Sequence, residues 1–273
     1  MQNMKKVLAF VWLFFVGLAF VVGWWQKNTQ TRPSPSKPAA NKPVLQVAVA
    51  ANFLATARQL AQAFKEKTGL NTALSPGSTG ALFAQIHNGR PYDIFLAADS
   101  QRPEQLVATG LADASSAFVY ATGRLMLWVP QFSPQRNKNC QNALENGLFQ
   151  RLVIANPKTA PYGRASKEVL QHYPQAVSAS QQITMGDISQ VLQVLDSGNA
   201  DAGFIARSQW QLLPKKHRRG CTWSVPPSLH TPIQQKAVIL KNSHHPEAAR
   251  KFLAFMRSQR GQDIIRRTGY TVE

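Results

Sequence analysis

The strongest constraint in this 273-residue chain is an alternation of apolar strands and amphipathic helices that begins at residue 44. Val44–Ala50 is β-branched and apolar, as a buried strand requires, and a stretch with helical spacing follows it. A second strand from Asn71, a short helix over Ala81–His87 and a third strand over Tyr92–Ala97 complete a β-α-β-α-β succession. Such a succession predicts an α/β fold with mainly parallel sheets.

The alternation continues less regularly through the second half of the chain. Apolar runs predict strands at Leu152–Ala155, Ala202–Ala206 and Lys236–Leu240, and helical spacing predicts one long amphipathic helix over Pro246–Arg267. At the first strand-to-helix turn, Asn52 is expected to cap the helix that follows, because its side chain can accept a hydrogen bond from the first helical N–H groups.

The first 43 residues have a different character. Lys5 and Lys6 precede an almost purely apolar segment, residues 7–25, whose length suits either a long signal-peptide core or a membrane-spanning helix. Positive charge before the segment favours export of the chain that follows. The Trp24-Trp25 pair is typical of a membrane interface and favours an uncleaved anchor over a cleaved signal. Residues 26–43 contain four prolines and have the composition of an extended linker.

Basic residues outnumber acidic ones by 31 to 13, which gives a formal net charge of +18. This excess is compatible with nucleic acid, a membrane surface or an anionic ligand as the partner. The densest basic run, at residues 215–219, has no interleaved aromatic residues and no groove-entering motif around it, so nucleic acid is not expected. In an exported protein, the same charges could orient the chain on an anionic bilayer.

The two cysteines, Cys140 and Cys221, fit an exported protein. An oxidising compartment favours a disulfide between them, which would close a loop of about 80 residues and contribute roughly 4 kcal/mol in the loop-entropy model. Two separate buried thiols remain the alternative, because the argument rests on the compartment alone.

Four strand-to-helix turns carry small or polar residues, and such turns are where parallel α/β sheets bind ligands. They are Ala51-Asn52, Ser78-Thr79-Gly80, Ala160-Pro161-Tyr162-Gly163 and Gly186-Asp187-Ile188. Helix starts offer unpaired N–H donors and partial positive charge, which suit an anion. Four of them in one cleft could hold a dianion without lysine or arginine, although each turn alone is more often an ordinary helix start.

Signatures of catalysis are weak. A serine hydrolase motif around Ser78 would need a glycine where Pro76 stands. The six histidines follow no metal-ligand spacing, and phosphate-loop and dinucleotide signatures are absent from the sequence. We therefore predict no enzyme activity, no catalytic residue and no cofactor.

Six segments, in order, resemble the molybdate-binding receptors of ABC importers. They are Val47–Phe53, Gly77–Ile86, Tyr92–Ser100, Ala155–Ala165, Ser197–Ala206 and Arg266–Val272. The resemblance covers nearly all of residues 44–273. It implies a type II periplasmic binding protein, in which two α/β lobes close around a tetrahedral oxyanion. Lobe 1 would comprise residues 44–121 and 236–273, and lobe 2 residues 122–235.

The resemblance also implies a set of uncharged donors at the ligand, with molybdenum present only inside the oxyanion. The ligand-binding residues expected from it are Asn52, Ser78, Thr79, Tyr162 and Ile188, the last through its backbone, with backbone support from Ala51. One branch of the family takes its tyrosine from the strand that ends here at Ala206. Alanine has no donor, so Tyr162 is expected to replace it.

The function implied by the resemblance is an extracytoplasmic receptor for molybdate, and for tungstate, that delivers its ligand to the permease and ATPase of an ABC importer. Another tetrahedral oxyanion such as sulfate or phosphate is the alternative ligand, and an exported enzyme on the same fold is a more distant one. The protein is expected to be a periplasmic monomer, attached to the inner membrane through residues 7–25 if that segment is not cleaved.

Overall fold

The computed structural model describes residues 44–133 and 139–272, which belong to one compact unit. The predicted signal or anchor at residues 7–25 and the linker at residues 26–43 lie outside the described residues. Within the described ranges, no helix combines the length and the apolar character that crossing a bilayer requires.

The described residues form ten strands and nine α-helices. The strands are β1 Val44–Ala50, β2 Asn71–Gly77, β3 Ile94–Leu96, β4 Phe118–Gly123, β5 Leu125–Val129, β6 Leu152–Ala155, β7 Gln182–Met185, β8 Ala202–Ala206, β9 Cys221–Ser224 and β10 Ile233–Ile239. The helices are α1 Leu54–Thr68, α2 Thr79–His87, α3 Gln101–Ala108, α4 Cys140–Glu145, α5 Pro161–Gln171, α6 Ile188–Asp196, α7 Arg207–Leu212, α8 Pro246–Arg257 and α9 Gln259–Arg267.

The strands assemble into two five-stranded sheets, one for each of two α/β lobes, with orders β2-β1-β3-β10-β4 and β7-β6-β8-β5-β9. In the first sheet, β1 pairs in parallel with β2 and β3, while β10 runs antiparallel to β3 and β4. In the second, β6 is parallel to β7 and β8, and β5 is antiparallel to β8 and β9. The two-lobe α/β fold is confirmed, and the sheets are mixed rather than mainly parallel. Their antiparallel strands could not be predicted, because one strand's sequence does not show the direction of its neighbours.

Apolar side chains of β1 pack into two hydrophobic cores, one on each side of the first sheet. Leu45 and Val47 pack in the same cluster as Phe64 and Phe252, whose rings meet edge to face with centroids 5.1 Å apart. Ala48 lies in the cluster on the other side. Both faces of β1 are therefore buried. Burial of one such large side chain stabilises the fold by about 1.5–3 kcal/mol.

The long helix predicted over Pro246–Arg267 is interrupted at Ser258. Helix α8 ends before this residue, and the backbone at Ser258 is extended, with φ −66° and ψ 158°. Its Oγ accepts a hydrogen bond from the N–H of Gly261 at 3.3 Å and so caps helix α9. A serine side chain competes in this way with the helical hydrogen bonds, and the apolar spacing alone does not reveal the break.

Asn52 does not cap the first helix, so that prediction was wrong. A 3-10 turn, Ala51–Phe53, precedes α1, and Phe53 occupies the cap position without a side-chain hydrogen bond. The Asn52 amide instead donates to Gln235 and Tyr270. Both acceptors are far away in the sequence, and a buried amide gains more from them than from a local cap.

Cys140 and Cys221 form a disulfide, which confirms the predicted pairing. Their Cα atoms are 5.9 Å apart, and the two residues are 81 positions apart along the chain. Cys140 opens helix α4 and Cys221 opens the edge strand β9, so the bond ties a helix to the margin of the second sheet.

Replacing both cysteines by alanine is expected to lower the free energy of unfolding by about 2–4 kcal/mol, because the unfolded chain regains the entropy of the open loop. Urea denaturation with and without a reductant measures this loss. Reductant should destabilise the wild type and leave the double variant unchanged. Equal stability of the oxidised wild type and the double variant would contradict the prediction.

Candidate functional site

The four predicted turns meet around one cavity of about 10 Å³ between the two sheets. All six residues predicted from the sequence line it: Ala51, Asn52, Ser78, Thr79, Tyr162 and Ile188. The sequence therefore identified the turns that come together, although they are up to 137 positions apart in the chain (188 − 51). Such a volume holds about one water-sized sphere, so the two lobes are closed on the cavity.

Three of the turns place the first residues of a helix at the cavity. Helix α2 begins at Thr79, α5 at Pro161 and α6 at Ile188, and each of these residues lines the cavity. The first N–H groups of a helix have no partner within the helix, and they carry partial positive charge. The first turn differs from the other three: a 3-10 turn that starts at Ala51 lies between the cavity and helix α1.

Ser78 and Thr79 present hydroxyl groups whose oxygens already accept hydrogen bonds from the backbone. Ser78 caps α2, and its Oγ accepts from the N–H of Ala81 at 3.3 Å. Thr79 Oγ1 accepts from the N–H of Ala98 at 3.0 Å. Each hydroxyl keeps its single hydrogen, so both can donate to a group in the cavity.

Asn52 is held from behind by residues of the C-terminal part of the chain. Its Nδ2 lies 3.0 Å from Gln235 Oε1 and 3.0 Å from Tyr270 Oη. Its backbone carbonyl accepts a hydrogen bond from the Tyr270 hydroxyl at 2.8 Å. With 4% of its surface exposed, Asn52 has a fixed position at the wall of the cavity.

Tyr162 is the second residue of α5 and is fully buried between the lobes. Its hydroxyl oxygen lies 3.5 Å from Gln235 Nε2. Burial raises the pKa of Tyr162 well above its usual range, so the phenol keeps its proton at every physiological pH. The residue is therefore available as a neutral hydrogen-bond donor.

The backbone at the other two turns is also supported by side chains. Ser189 Oγ donates to the carbonyl of Ala51 at 3.2 Å, which joins the first and fourth turns. Gln209 Nε2 donates to the carbonyl of Ile188 at 3.0 Å. The N–H of Ile188 is at the first position of helix α6, where N–H groups have no partner within the helix. An anion can bind at such a helix start.

Among the described residues that line the cavity, Asp187 has the charged side chain, and no lysine or arginine accompanies it. The Asp187 carboxylate accepts hydrogen bonds from the N–H groups of Ser189 at 2.8 Å and Gln190 at 3.2 Å. It therefore caps α6, and its charge is balanced by the start of that helix. No cluster of three or more metal-ligating side chains occurs in the described part of the chain.

Charged groups lie outside the cavity, where they connect the two lobes. Asp99 forms ion pairs with Arg102 and, at 3.3 Å, with Arg164 of helix α5. Arg102 Nη2 also donates to the carbonyl of Lys158 at 3.0 Å. Asp99 and Arg102 therefore contribute to the contact between the lobes.

A buried polar network behind the cavity escaped the sequence analysis. Its members beyond Asn52 and Tyr162 are Tyr120, Ser208, Gln235 and Tyr270. One signal was present in the sequence: by simple alternation along β10, Gln235 falls in step with the apolar residues Ile233, Ala237 and Ile239, all of which are buried. A polar residue on the core-facing side of a strand needs buried partners, and this pattern marks it as special.

Two α/β lobes closed on a small cavity with neutral donors define the class of two-lobed solute-binding receptors. The family model described as bacterial extracellular solute-binding protein matches residues 45–271. The chain belongs to this family.

Its relatives include proteins with a named ligand. The chain is 38% identical to the molybdate-binding protein ModA of Azotobacter vinelandii over 86% of its own length and 92% of that protein. It is equally identical to the ModA of Rhodobacter capsulatus, over 86% of this chain and 91% of the relative. The solved structure of the periplasmic molybdate-binding protein of Azotobacter vinelandii superposes with a TM-score of 0.77 at 34% identity, covering 84% of this chain and 99% of that one.

Gly80 allows the two lobes to approach each other, and substituting it should hold them apart. Its N–H donates to the carbonyl of Thr159 across the cleft at 2.8 Å, and a Cβ at this position would lie 2.9 Å from Thr159 Cα. Gly80→Ala should therefore give a larger radius of gyration by small-angle X-ray scattering. The free energy of unfolding should stay the same or rise by up to about 1 kcal/mol, because alanine favours helix α2. A radius equal to that of the wild type would show that closure does not need this glycine.

Proposed function

We propose that this protein is an extracytoplasmic receptor that binds molybdate, and tungstate, between its lobes and delivers the anion to the permease and ATPase of an ABC importer. The observation that carries the proposal is the cavity itself, in which neutral donors converge from helix starts of both lobes without lysine or arginine. The names of the relatives at 38% identity support the same ligand.

The ligand set we propose is the side chains of Ser78, Thr79 and Tyr162 with the backbone of Asn52 and Ile188, supported by the backbone of Ala51. Asn52 contributes through its backbone because Gln235 and Tyr270 already receive both hydrogens of its side-chain amide. Molybdate at neutral pH is a dianion with four acceptor oxygens and no proton to donate. Hydroxyl and N–H groups therefore suit it, and hydrogen bonds to an ionised partner are about twice as strong as neutral ones. Binding and release make and break no covalent bond, so the protein acts as a receptor and not as an enzyme.

Phosphate retains a proton at neutral pH and needs an acceptor in the site. Asp187 caps helix α6 through Oδ1 alone, so the preference for molybdate over phosphate rests on the relatives, which are named for molybdate. Sulfate carries no proton and has the same shape as molybdate, so only the size of the closed cavity can separate the two. We expect molybdate rather than sulfate because the relatives at 38% identity are named for molybdate.

Binding requires the lobes to open and close, and the path of the chain suggests where they hinge. We assign lobe 1 to residues 44–121 and 236–273 and lobe 2 to residues 122–235. In support, the chain crosses between the two sheets close to these bounds. Strand β4 of the first sheet ends at Gly123 and β5 of the second begins at Leu125, while β9 of the second ends at Ser224 and β10 of the first begins at Ile233. A ligand that bridges the lobes shifts the population toward the closed form, which the importer would recognise.

The receptor would work as a periplasmic monomer held at the inner membrane by residues 7–25. The composition of that segment and the exported character of the family support this location. Retention of the full chain in washed membranes, and its loss after removal of residues 1–43, tests the attachment.

Isothermal titration calorimetry of residues 44–273 with four anions tests the ligand directly. We expect tight binding of molybdate and tungstate and little heat with sulfate or phosphate at the same concentrations. Tight binding of sulfate or phosphate alone would assign the protein to another class of oxyanion receptor and refute the proposal.

Removing single donors should weaken molybdate binding by an amount typical of a hydrogen bond to a charged group. Thr79→Ala and Tyr162→Phe are each expected to cost about 1–3 kcal/mol of binding free energy, measured by calorimetry. Tyr173→Phe is the matched control, because Tyr173 lies just beyond the far end of helix α5, away from the cavity. Wild-type affinity in both site variants would remove these side chains from the ligand set.

A further inference from the structure

We propose that Gln235 is a positioning residue that sets the hydrogen-bond polarity of the cavity, by directing the hydroxyl hydrogen of Tyr162 toward the bound anion. The inference rests on the proposed oxyanion-binding function and concerns a residue outside the cavity lining.

Gln235 is fully buried in β10, and the two ends of its amide face different partners. Its Oε1 lies 3.0 Å from Asn52 Nδ2 and 3.0 Å from Tyr120 Oη. Its Nε2 lies 3.5 Å from Tyr162 Oη. The Tyr120 hydroxyl is also 3.0 Å from the carbonyl of Ala97, so its hydrogen is shared between two acceptors. Gln235 thus connects a ligand residue of lobe 1 with one of lobe 2.

The orientation of this amide follows from a backbone carbonyl that cannot flip. Tyr270 donates its single hydrogen to the main-chain oxygen of Asn52 at 2.8 Å, because the other hydroxyl near that oxygen, Ser208 Oγ, is 3.4 Å away and lies closer to Tyr270 itself. The Tyr270 oxygen must then accept from the Asn52 side chain, 3.0 Å away, as it also accepts from Ser208 Oγ at 2.9 Å. The Asn52 atom that faces Tyr270 is therefore nitrogen.

The same reasoning continues to Tyr162. The second hydrogen of Asn52 Nδ2 points at Gln235, so the Gln235 atom that receives it is the carbonyl oxygen. The other end of the Gln235 amide, its Nε2, then faces Tyr162 and donates to it. Because the Tyr162 oxygen is an acceptor on this side, its single hydrogen is left for the cavity that the residue lines. An acceptor in place of Gln235 Nε2 would draw that hydrogen away and leave lone pairs facing the anion.

This assignment of donors and acceptors requires each of the three tyrosine hydroxyls to keep its hydrogen. Burial raises the pKa of Tyr120, Tyr162 and Tyr270 above their ordinary values. The carboxylate that acts on this cluster is Asp99, which raises the pKa of Tyr120 further and is itself paired with Arg102. No described contact brings a histidine, lysine or arginine to Gln235, so the network is neutral and depends on hydrogen direction alone.

Gln235→Glu tests this polarity with almost no change of shape. A protonated glutamic acid can still donate to Tyr162 and accept from Asn52, whereas the ionised form can only accept and adds a negative charge behind the anion. Burial raises the pKa of such a carboxyl group toward neutrality or above. The test is calorimetry of molybdate binding to the wild type and the variant from pH 6 to pH 9, with thermal unfolding of both proteins measured at each pH.

We expect wild-type affinity to be constant over this range. The variant should bind within a few-fold of the wild type at pH 6 and at least about tenfold more weakly at pH 9, the scale of one lost hydrogen bond to a charged group. Gln59→Glu, the same substitution on the exposed face of α1, should match the wild type at every pH. A ratio of affinities that does not change with pH would overturn the role of Gln235.

A second measurement uses the unaltered protein and covers the case in which Gln235→Glu does not fold. Neutron diffraction from deuterated wild-type crystals with molybdate should show deuterium on Tyr162 Oη directed at the anion and on Gln235 Nε2 directed at Tyr162. Deuterium on Tyr162 directed at Gln235 would refute the inference. Failure of the wild type to bind molybdate at all would instead refute the proposed function, and the inference with it.

Discussion

The hydrogen bond from Tyr270 to the main-chain carbonyl of Asn52 is the interaction on which the rest of the site depends. It joins the last residues of the described chain to the first strand-to-helix turn, and it is buried, so an unmade bond would cost about 1–3 kcal/mol. Once it forms, the Asn52 amide has one orientation, and Gln235 receives its own orientation from Asn52. The position of the first turn at the cavity therefore depends on the packing of the C-terminal segment against it.

Neutral groups and charged groups are separated in this molecule. Inside the cavity, hydroxyl and N–H donors meet without lysine or arginine, while Asp99, Arg102 and Arg164 connect the lobes outside it. A fixed cation in the cavity would have to be desolvated at each closure, whereas neutral dipoles at helix starts are already oriented and lose less. Ion pairs at a partly exposed rim break and form at small cost, which suits lobes that must open again.

Local patterns predicted much of this architecture. The strand-helix alternation, the four turns and the pairing of Cys140 with Cys221 were all correct, because each depends on short-range spacing or on the compartment. The break at Ser258 was missed, since apolar spacing continues across it. The cap predicted at Asn52 was wrong, because a distant pair of acceptors outcompeted the local helix end. The ligand residues themselves remain predictions.

The sequence by itself determined the alternation of strands and helices and which turns carry donor side chains, because periodicity and turn residues act over a few positions. The two lobes were an expectation from the family resemblance. Only the tertiary structure decided which hydrogen-bond partners orient those side chains. That choice depends on partners such as Gln235, 183 positions from Asn52, and hydrogen-bond direction is set by contacts in space rather than by neighbours in the chain.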